Sequence, residues 1–226
     1  MCEHCGCQER NKELEIKKHL LEANLDLAAK NRDLFRKRGL KALNLISAPG
    51  SGKTSLLEAT IDALKGQIPL AVIEGDPETE RDAARIRAKG VPVVQITTGG
   101  ACHLDARMVH QAFHQLEGET FRLLFIENVG NLVCPSSFDL GEDVRVVLVS
   151  VPEGSDKPAK YPAAFHKAQV FLITKIDLLP YFDFDLEECK RLAWKINPQL
   201  QIIPLSARTG EGLDKWLSFL QGLVSK

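Results

Sequence analysis

An apolar run, Ala42–Ile46, passes directly into Ser47-Ala-Pro-Gly50-Ser51-Gly52-Lys53-Thr54-Ser55, where a helical pattern begins at once. Few segments constrain a fold more tightly. A strand that feeds a helix through a glycine-bearing turn aims backbone N–H groups and the positive end of the helix at one point. That point suits polyphosphate oxygens. Gly50, Ser51 and Gly52 form the turn, Lys53 reaches toward β- and γ-phosphates, and the Thr54 hydroxyl suits Mg2+, with Ser55 next on the helix. Ser47 replaces the first glycine of the G-x-x-x-x-G-K-[ST] pattern. The competing reading is a glycine turn that merely caps a helix with Lys53 in solvent; the flanking strand and helix weigh against it.

The rest of the chain repeats the strand, loop, helix rhythm. Apolar runs at Pro69–Ile73, Pro92–Ile96, Leu123–Ile126, Val144–Val149, Val170–Ile173 and Gln201–Pro204 predict strands. Helical patterns fall between most of them, at Thr54–Leu64, Glu78–Lys89, Asp105–Leu116 and Leu186–Lys195. Continuous apolar strands alternating with helices predict an α/β fold, a three-layer P-loop NTPase with a mainly parallel sheet, whose ligands sit at the carboxyl ends of the strands. Ahead of this domain, placed at 39–226, a charged amphipathic helix is expected over 11–38 from the spacing of Ile16, Leu20, Ala23, Leu27 and Leu34. Residues 1–10 are expected to be a flexible tail.

Two carboxylates are expected at the same sheet edge. Glu127-Asn-Val-Gly130 follows the run Leu123–Ile126, where a Mg2+-positioning segment belongs, and Asp76 follows the run ending at Ile73. Lys53, Asp76 and Glu127 are the candidate catalytic residues, and Thr54, Asp76 and Glu127 the candidate Mg2+ ligands. Asp76 is equally readable as a helix N-cap, because Pro77 and Glu78 follow. Thr174-Lys175-Ile-Asp177 has the spacing of a guanine-reading N-K-x-D segment, and Ser206-Ala207 comes after the last strand. A carboxylate at Asp177 accepts from both guanine N1–H and the exocyclic amine, a donor pair that adenine lacks, so GTP is the expected nucleotide. Thr174 stands in place of Asn, which predicts that a supporting hydrogen bond is altered or lost.

With hydrophobic residues at 44% and charged residues at 26%, the chain can build a full core. A formal net charge of −1 gives no general electrostatic reason to expect nucleic acid or an anionic membrane. No apolar run approaches the roughly 20 residues of a membrane span, and a basic-then-apolar leader is missing, so a cytoplasmic location is expected. Of six cysteines, Cys2, Cys5 and Cys7 crowd the first seven residues. A C-x-x-C-x-C run with no core to fill favours metal binding over packing, with His4 as an optional extra ligand. Cys102 and His103 follow one strand and Cys134 follows another, so all three are expected near the nucleotide edge, where two thiolates and an imidazole suit Zn2+ or Ni2+. Their alternative is two small buried thiols. Three ligands leave a shell that a second copy of the chain could complete. His110 and His114 lie one helical turn apart, more often a solvated helix face than a metal pair. Cys189 reads as packing, and Trp194 and Trp216 as core or interface.

Taken together, the CEHCGC tail, SAPGSGKTSLL, IEGD, TGGACHLDA, IENVGNLVCP, EGSDKPAKYP, TKIDLLPY and SART resemble, in order and over essentially the whole chain, the HypB family of nickel-loading GTPases for [NiFe]-hydrogenase. The resemblance implies a SIMIBI-class G domain and a homodimer promoted by GTP or metal. It also implies a HypA-type nickel chaperone and the hydrogenase large-subunit precursor as partners. By position it implies a tight nickel site at Cys2, Cys5 and Cys7, and a nickel or zinc site at Cys102, His103 and Cys134. Lys157 matches a lysine that reaches nucleotide across the dimer. No histidine-rich storage run is present. Turnover is expected to be slow, since neither an arginine finger nor a catalytic glutamine is evident. Two rivals remain at this point. A urease-type nickel-chaperone GTPase shares the G domain but carries a C-P-H triplet, and a metal storage or sensing protein would use nucleotide only for assembly.

Overall fold

The computed structural model describes the backbone of residues 7–225 and the side chains of residues 18–225. Cys2, His4 and Cys5 lie outside the described residues, as does the side chain of Cys7. Seven strands form one sheet in the order β3-β2-β4-β1-β5-β6-β7. They are β1 (Lys41–Ser47), β2 (Leu70–Asp76), β3 (Val93–Thr97), β4 (Leu123–Glu127), β5 (Val144–Ser150), β6 (Val170–Thr174) and β7 (Gln201–Pro204). Every neighbouring pair is parallel. The expectation of a mainly parallel sheet is therefore met in full. Each predicted run became a strand, with the observed ends within three residues of the apolar limits, because edge carboxylates such as Glu74, Asp76 and Glu127 extend the ladder without being apolar.

Alternation along β1 explains the three layers. Leu43 and Leu45 face α2 (Lys53–Leu64) and α8 (Leu213–Val224), where Leu57, Ile61, Trp216 and Leu220 complete one core. Ala42 and Ile46 face the other way. On that side α1 (Cys7–Lys37) and α4 (Ala106–His114) cover β2 and β4 through Phe35, Val109 and Phe113. Further along, α6 (Pro162–His166) and α7 (Leu186–Ile196) cover β5 and β6 through Phe165, Cys189 and Ala193. α3 (Arg81–Arg87) places Ile86 in the first core, and the one-turn α5 (Lys157–Lys160) precedes α6. Trp216 is fully buried and donates to Thr60 Oγ1 at 3.0 Å, whereas Trp194 is 43% exposed.

α1 starts four residues ahead of the expected Asn11, so Cys7 belongs to the helix and not to an irregular tail. Its later half is fixed by polar side chains. Asn24 accepts from Ala106 N and donates to Asp139 O, both at 2.8 Å, and Arg32 bridges both Asp139 oxygens at 2.8 Å. Gly141 (φ 92°) lets the helix approach closely: a Cβ there would stand 2.7 Å from Ala28 O and from Asn31 Cβ. α1 therefore runs parallel to α4, with Asn24 beside Ala106 and Phe35 stacked edge-on to Phe113 at 4.9 Å.

Candidate nucleotide and metal site

The turn after β1 has left-handed glycines at Gly50 (φ 75°) and Gly52 (φ 94°), and α2 begins at Lys53. Lys53 is buried and donates to Ser47 Oγ at 3.0 Å. The departure from the phosphate-loop pattern thus has a role in this chain: the Ser47 hydroxyl gives the lysine ammonium a resting partner. Thr54 Oγ1 donates to Glu127 Oε1 at 2.9 Å. Burial pushes the Glu127 carboxyl up to about 7, against the pull of Lys53 and Thr54. Opposite it in the β2–β4 register stands Glu74, which burial, and then the charges of Glu127 and Asp76, push up to about 8. One oxygen of each carboxyl, Oε2, is buried without a hydrogen-bond partner among the described residues. Unsatisfied buried carboxylates beside a threonine hydroxyl are a donor set suited to a hard divalent cation, and Mg2+ fits it.

Asp76 resolves into both of its expected readings. Its Oδ1 accepts from Glu78 N at 2.8 Å and Thr79 N at 2.6 Å, which caps a turn, while α3 starts only at Arg81 with Glu80 as its cap. The same residue lines a cavity of about 410 Å³ with Gly50, Gly52, Lys53, Thr54, Ser55 and Glu127. A second cavity, of about 250 Å³, shares Gly52, Ser55 and Lys175 with the first and adds Thr174, Asp177, Ser206 and Ala207. The phosphate and base residues therefore lie along one continuous wall. Lys175 is the sole non-glycine with positive φ among the described residues (58°), and its Nζ donates to Gly50 O at 2.7 Å. Ser206 Oγ donates to Asp177 Oδ1 at 2.6 Å and holds the carboxylate in place.

Thr174, in the place of the usual Asn, makes a hydrogen bond of its own. Its hydroxyl donates to Ser51 O at 2.7 Å, so the link between the base segment and the phosphate loop is kept by a shorter side chain. Two expected nucleotide residues stand apart from the cavities. Ser51 Oγ lies 2.6 Å from Glu153 Oε2, turned toward the neighbouring loop. Lys157 Nζ sits 5.3 Å from the Tyr161 ring centroid and lines neither cavity.

The G-domain metal residues do converge. The ligand atoms of Cys102, His103 and Cys134 all lie within 4.8 Å of one another. Cys102 is exposed and Cys134 half-buried, so the buried-thiol reading fails for both, whereas Cys189 is buried in the core as expected. The neighbouring Cys134 thiol, and then burial, hold Cys102 above its ordinary pKa, while burial lowers that of His103 against the pull of Asp105. Two thiols next to an imidazole make a shell that a borderline cation enters by displacing thiol protons. The His103 ring stacks on Phe138 with centroids 3.9 Å apart, which fixes its plane. Nickel or zinc suits this donor set.

Residues that sequence reasoning passed over join the two centres. Asn128, adjacent to Glu127, accepts from Leu104 N and Val129 N, both at 3.0 Å, and donates to Asn44 Oδ1 at 3.2 Å. Leu104 directly follows His103. One buried amide thus ties the Glu127 segment to the Cys102–His103 segment. Gly75 leaves room for Leu104, since a Cβ there would meet its side chain at 2.8 Å. The Cys134 loop is held by buried Arg145, which donates to Ser136 O at 2.9 Å and Phe138 O at 2.8 Å and pairs with Glu142 at 2.7 Å. Arg85 lines the phosphate cavity while paired to Glu58 at 2.6 Å and Asp82 at 3.0 Å. None of these partners shows a spacing pattern in the sequence. Only the position of Glu74 and Asn128 beside predicted strand ends marked them.

Comparison with known proteins settles the family. Residues 41–204 match the family described as CobW/HypB/UreG, nucleotide-binding domain. The hydrogenase maturation factor HypB of Azotobacter chroococcum mcd 1 is 53% identical over 218 residues, spanning 96% of this chain and 72% of that protein. This chain belongs to the HypB family. HypB of Escherichia coli (strain K12) is 50% identical across 96% of this chain and 75% of its own length. The crystal structure of HypB from Helicobacter pylori in complex with nickel is 42% identical, with a TM-score of 0.86 over 90% of this chain and 95% of that one. Membership of a P-loop GTPase family agrees with the joined phosphate and base cavities and with the parallel sheet.

Proposed function

We propose that the protein hydrolyses GTP to GDP and phosphate, and uses that cycle to hold and release nickel during [NiFe]-hydrogenase maturation. The observation that carries this reading is Asn128, whose single side chain bonds both sides of the junction between Glu127 and His103. Lys53 and the glycine N–H groups bind the phosphates, and Asp177 with Ser206 and Ala207 reads the base. Asp76 has one oxygen committed to turn amides, which leaves the other to orient the water that attacks the γ-phosphorus as the bond to the β-phosphate oxygen breaks. Mg2+, held by Thr54, Glu127 and Asp76, would supply charge neutralisation on the phosphates.

Closure of the Asp76 and Glu127 segments around GTP displaces Leu104 and the ligand loops, and hydrolysis relaxes them. Turnover is slow, because Arg85 is tied to two carboxylates. A homodimer completes the metal shell of Cys102, His103 and Cys134, with nickel as cargo and zinc as a competing occupant. It also brings Lys157 toward the partner's nucleotide. Cys2, Cys5 and Cys7 form the tail nickel site. The protein works in the cytoplasm with other maturation factors, a HypA-type chaperone and the hydrogenase large-subunit precursor among them. Isothermal titration of Ni2+ into the GTP-analogue and GDP forms tests the coupling. Different affinities are expected, and equal affinities sink it. Lys53→Ala is expected to abolish GTP turnover; retained turnover would mean that the phosphate loop is not the catalytic centre.

A further inference from the structure

We propose that His110 and His114 on α4 form a separate site for a divalent transition cation, Zn2+ or Ni2+, bound through two imidazole Nε2 atoms. The two rings meet edge-on across one turn of α4, their planes 88° apart, with Nε2 atoms 3.1 Å apart. Their other nitrogens are both occupied. His110 Nδ1 lies 2.8 Å from Asn31 Oδ1, and His114 Nδ1 lies 2.5 Å from Glu117 Oε1. The identity of the Asn31 atom is fixed by its own bonds, because Asn31 Nδ2 donates to Ala106 O at 2.8 Å and Leu140 O at 3.0 Å. Asn31 Oδ1 is therefore an acceptor, and His110 must donate to it from Nδ1. The Glu117 carboxylate likewise accepts from His114 Nδ1.

With both Nδ1 atoms carrying hydrogen, two bare Nε2 lone pairs converge on one gap, the nitrogens 3.1 Å and the ring centroids 4.6 Å apart. That arrangement is repulsive unless a positive charge lies between them. A proton is one candidate, but burial, and then His114 and Lys30, hold His110 below its ordinary pKa. A metal ion is the other. Two nitrogen ligands at about 2.05 Å from a metal, subtending about 100°, stand roughly 3.1 Å apart. The observed separation matches. Each imidazole also has the second partner that orients metal-ligating histidines, a carbonyl oxygen on one and a carboxylate on the other. Water fills the remaining positions. The pair lies in α4, beyond the Cys102–His103 loop, so it adds a cation without sharing a ligand with that site.

The full natural chain, dialysed against chelator-buffered Zn2+ and analysed for bound metal, tests this. His110→Gln and His114→Gln are each expected to hold one ion fewer per chain than the natural protein. Glu117→Gln is expected to keep the count but weaken that ion about ten-fold. Long-range 1H–15N spectra of the natural chain provide a readout independent of any variant. On adding Zn2+, the Nε2 resonances of His110 and His114 are expected to shift together while both rings keep hydrogen on Nδ1. Equal metal counts in the natural protein and both histidine variants, or Nε2 resonances unmoved by Zn2+, would overturn the proposal and leave a shared proton as the link.

Discussion

Asn128 shows how much a single side chain can determine. Its Oδ1 serves two backbone N–H groups, and its Nδ2 reaches Asn44, which in turn donates to Glu142 Oε1 at 3.3 Å. Asn128→Ala strands the buried Leu104 N–H, at a cost of about 1–3 kcal/mol of stability. The ligand loop loses its tie at the same time. Nickel affinity is expected to fall about ten-fold by isothermal titration, with a smaller loss of GTP affinity, because the Asn128 side chain bonds Leu104, Val129 and Asn44 although the residue lines the phosphate cavity.

Glu74 and Glu127 give a pH prediction. Both have folded pKa values, about 8 and about 7, above the ordinary 4.5. The folded state thus binds protons more tightly than the unfolded chain, and stability falls as pH rises between those values. Without nucleotide and Mg2+, the melting temperature is expected to decline from about pH 4.5 to about 8. Glu74→Gln is expected to flatten the upper part of that decline in a thermal denaturation series. A melting temperature in the natural chain that rises over the same window would contradict the burial argument.

Among the elements, α1 depends on Gly141. A methyl group there collides with Ala28 O and Arg32 N, at 2.7 and 2.9 Å, in a backbone region that alanine tolerates poorly. Gly141→Ala is expected to cost about 2 kcal/mol, which lowers the melting temperature by roughly 4–8 °C for a chain of this size. Such elements also show where sequence reasoning works and where it stops. Strand positions were legible because a strand buried on both faces must be continuously apolar, and the Thr54–Leu64 and Leu186–Lys195 patterns gave α2 and α7 almost to the residue. The Glu78–Lys89 pattern overran α3, since Asp76 and Pro77 hold the preceding turn open. Phosphate-loop and base residues were legible by local spacing. Asn24, Asn31 and Arg32 were not, because α1 finds its partners some 75 to 115 positions away. Polar side chains in a charged helix look like solvent-facing residues until their distant acceptors are known.

At the scale of the whole molecule, the two cavities and the thiolate shell share the carboxyl edge of one sheet, as open parallel sheets dictate. Three ligands from one chain leave coordination positions free for a borderline cation. Ni2+ with a GTP analogue is therefore expected to move the protein from monomer to dimer in sedimentation. Cys134→Ala is expected to remove the metal-driven part of that shift while leaving the nucleotide-driven part.

The parallel alignment of α1 with α4 has one further consequence. Among the described side chains the first bond from α1 to the core is at Asn24, seventeen residues after the helix start at Cys7, a length of about 25 Å at the rise of an α-helix. Because α4 begins at the nucleotide-facing edge, that length projects past the edge as an arm, with Leu20 63% exposed along it. A helix that leaves its own core over that length offers its exposed face to a second copy of the chain.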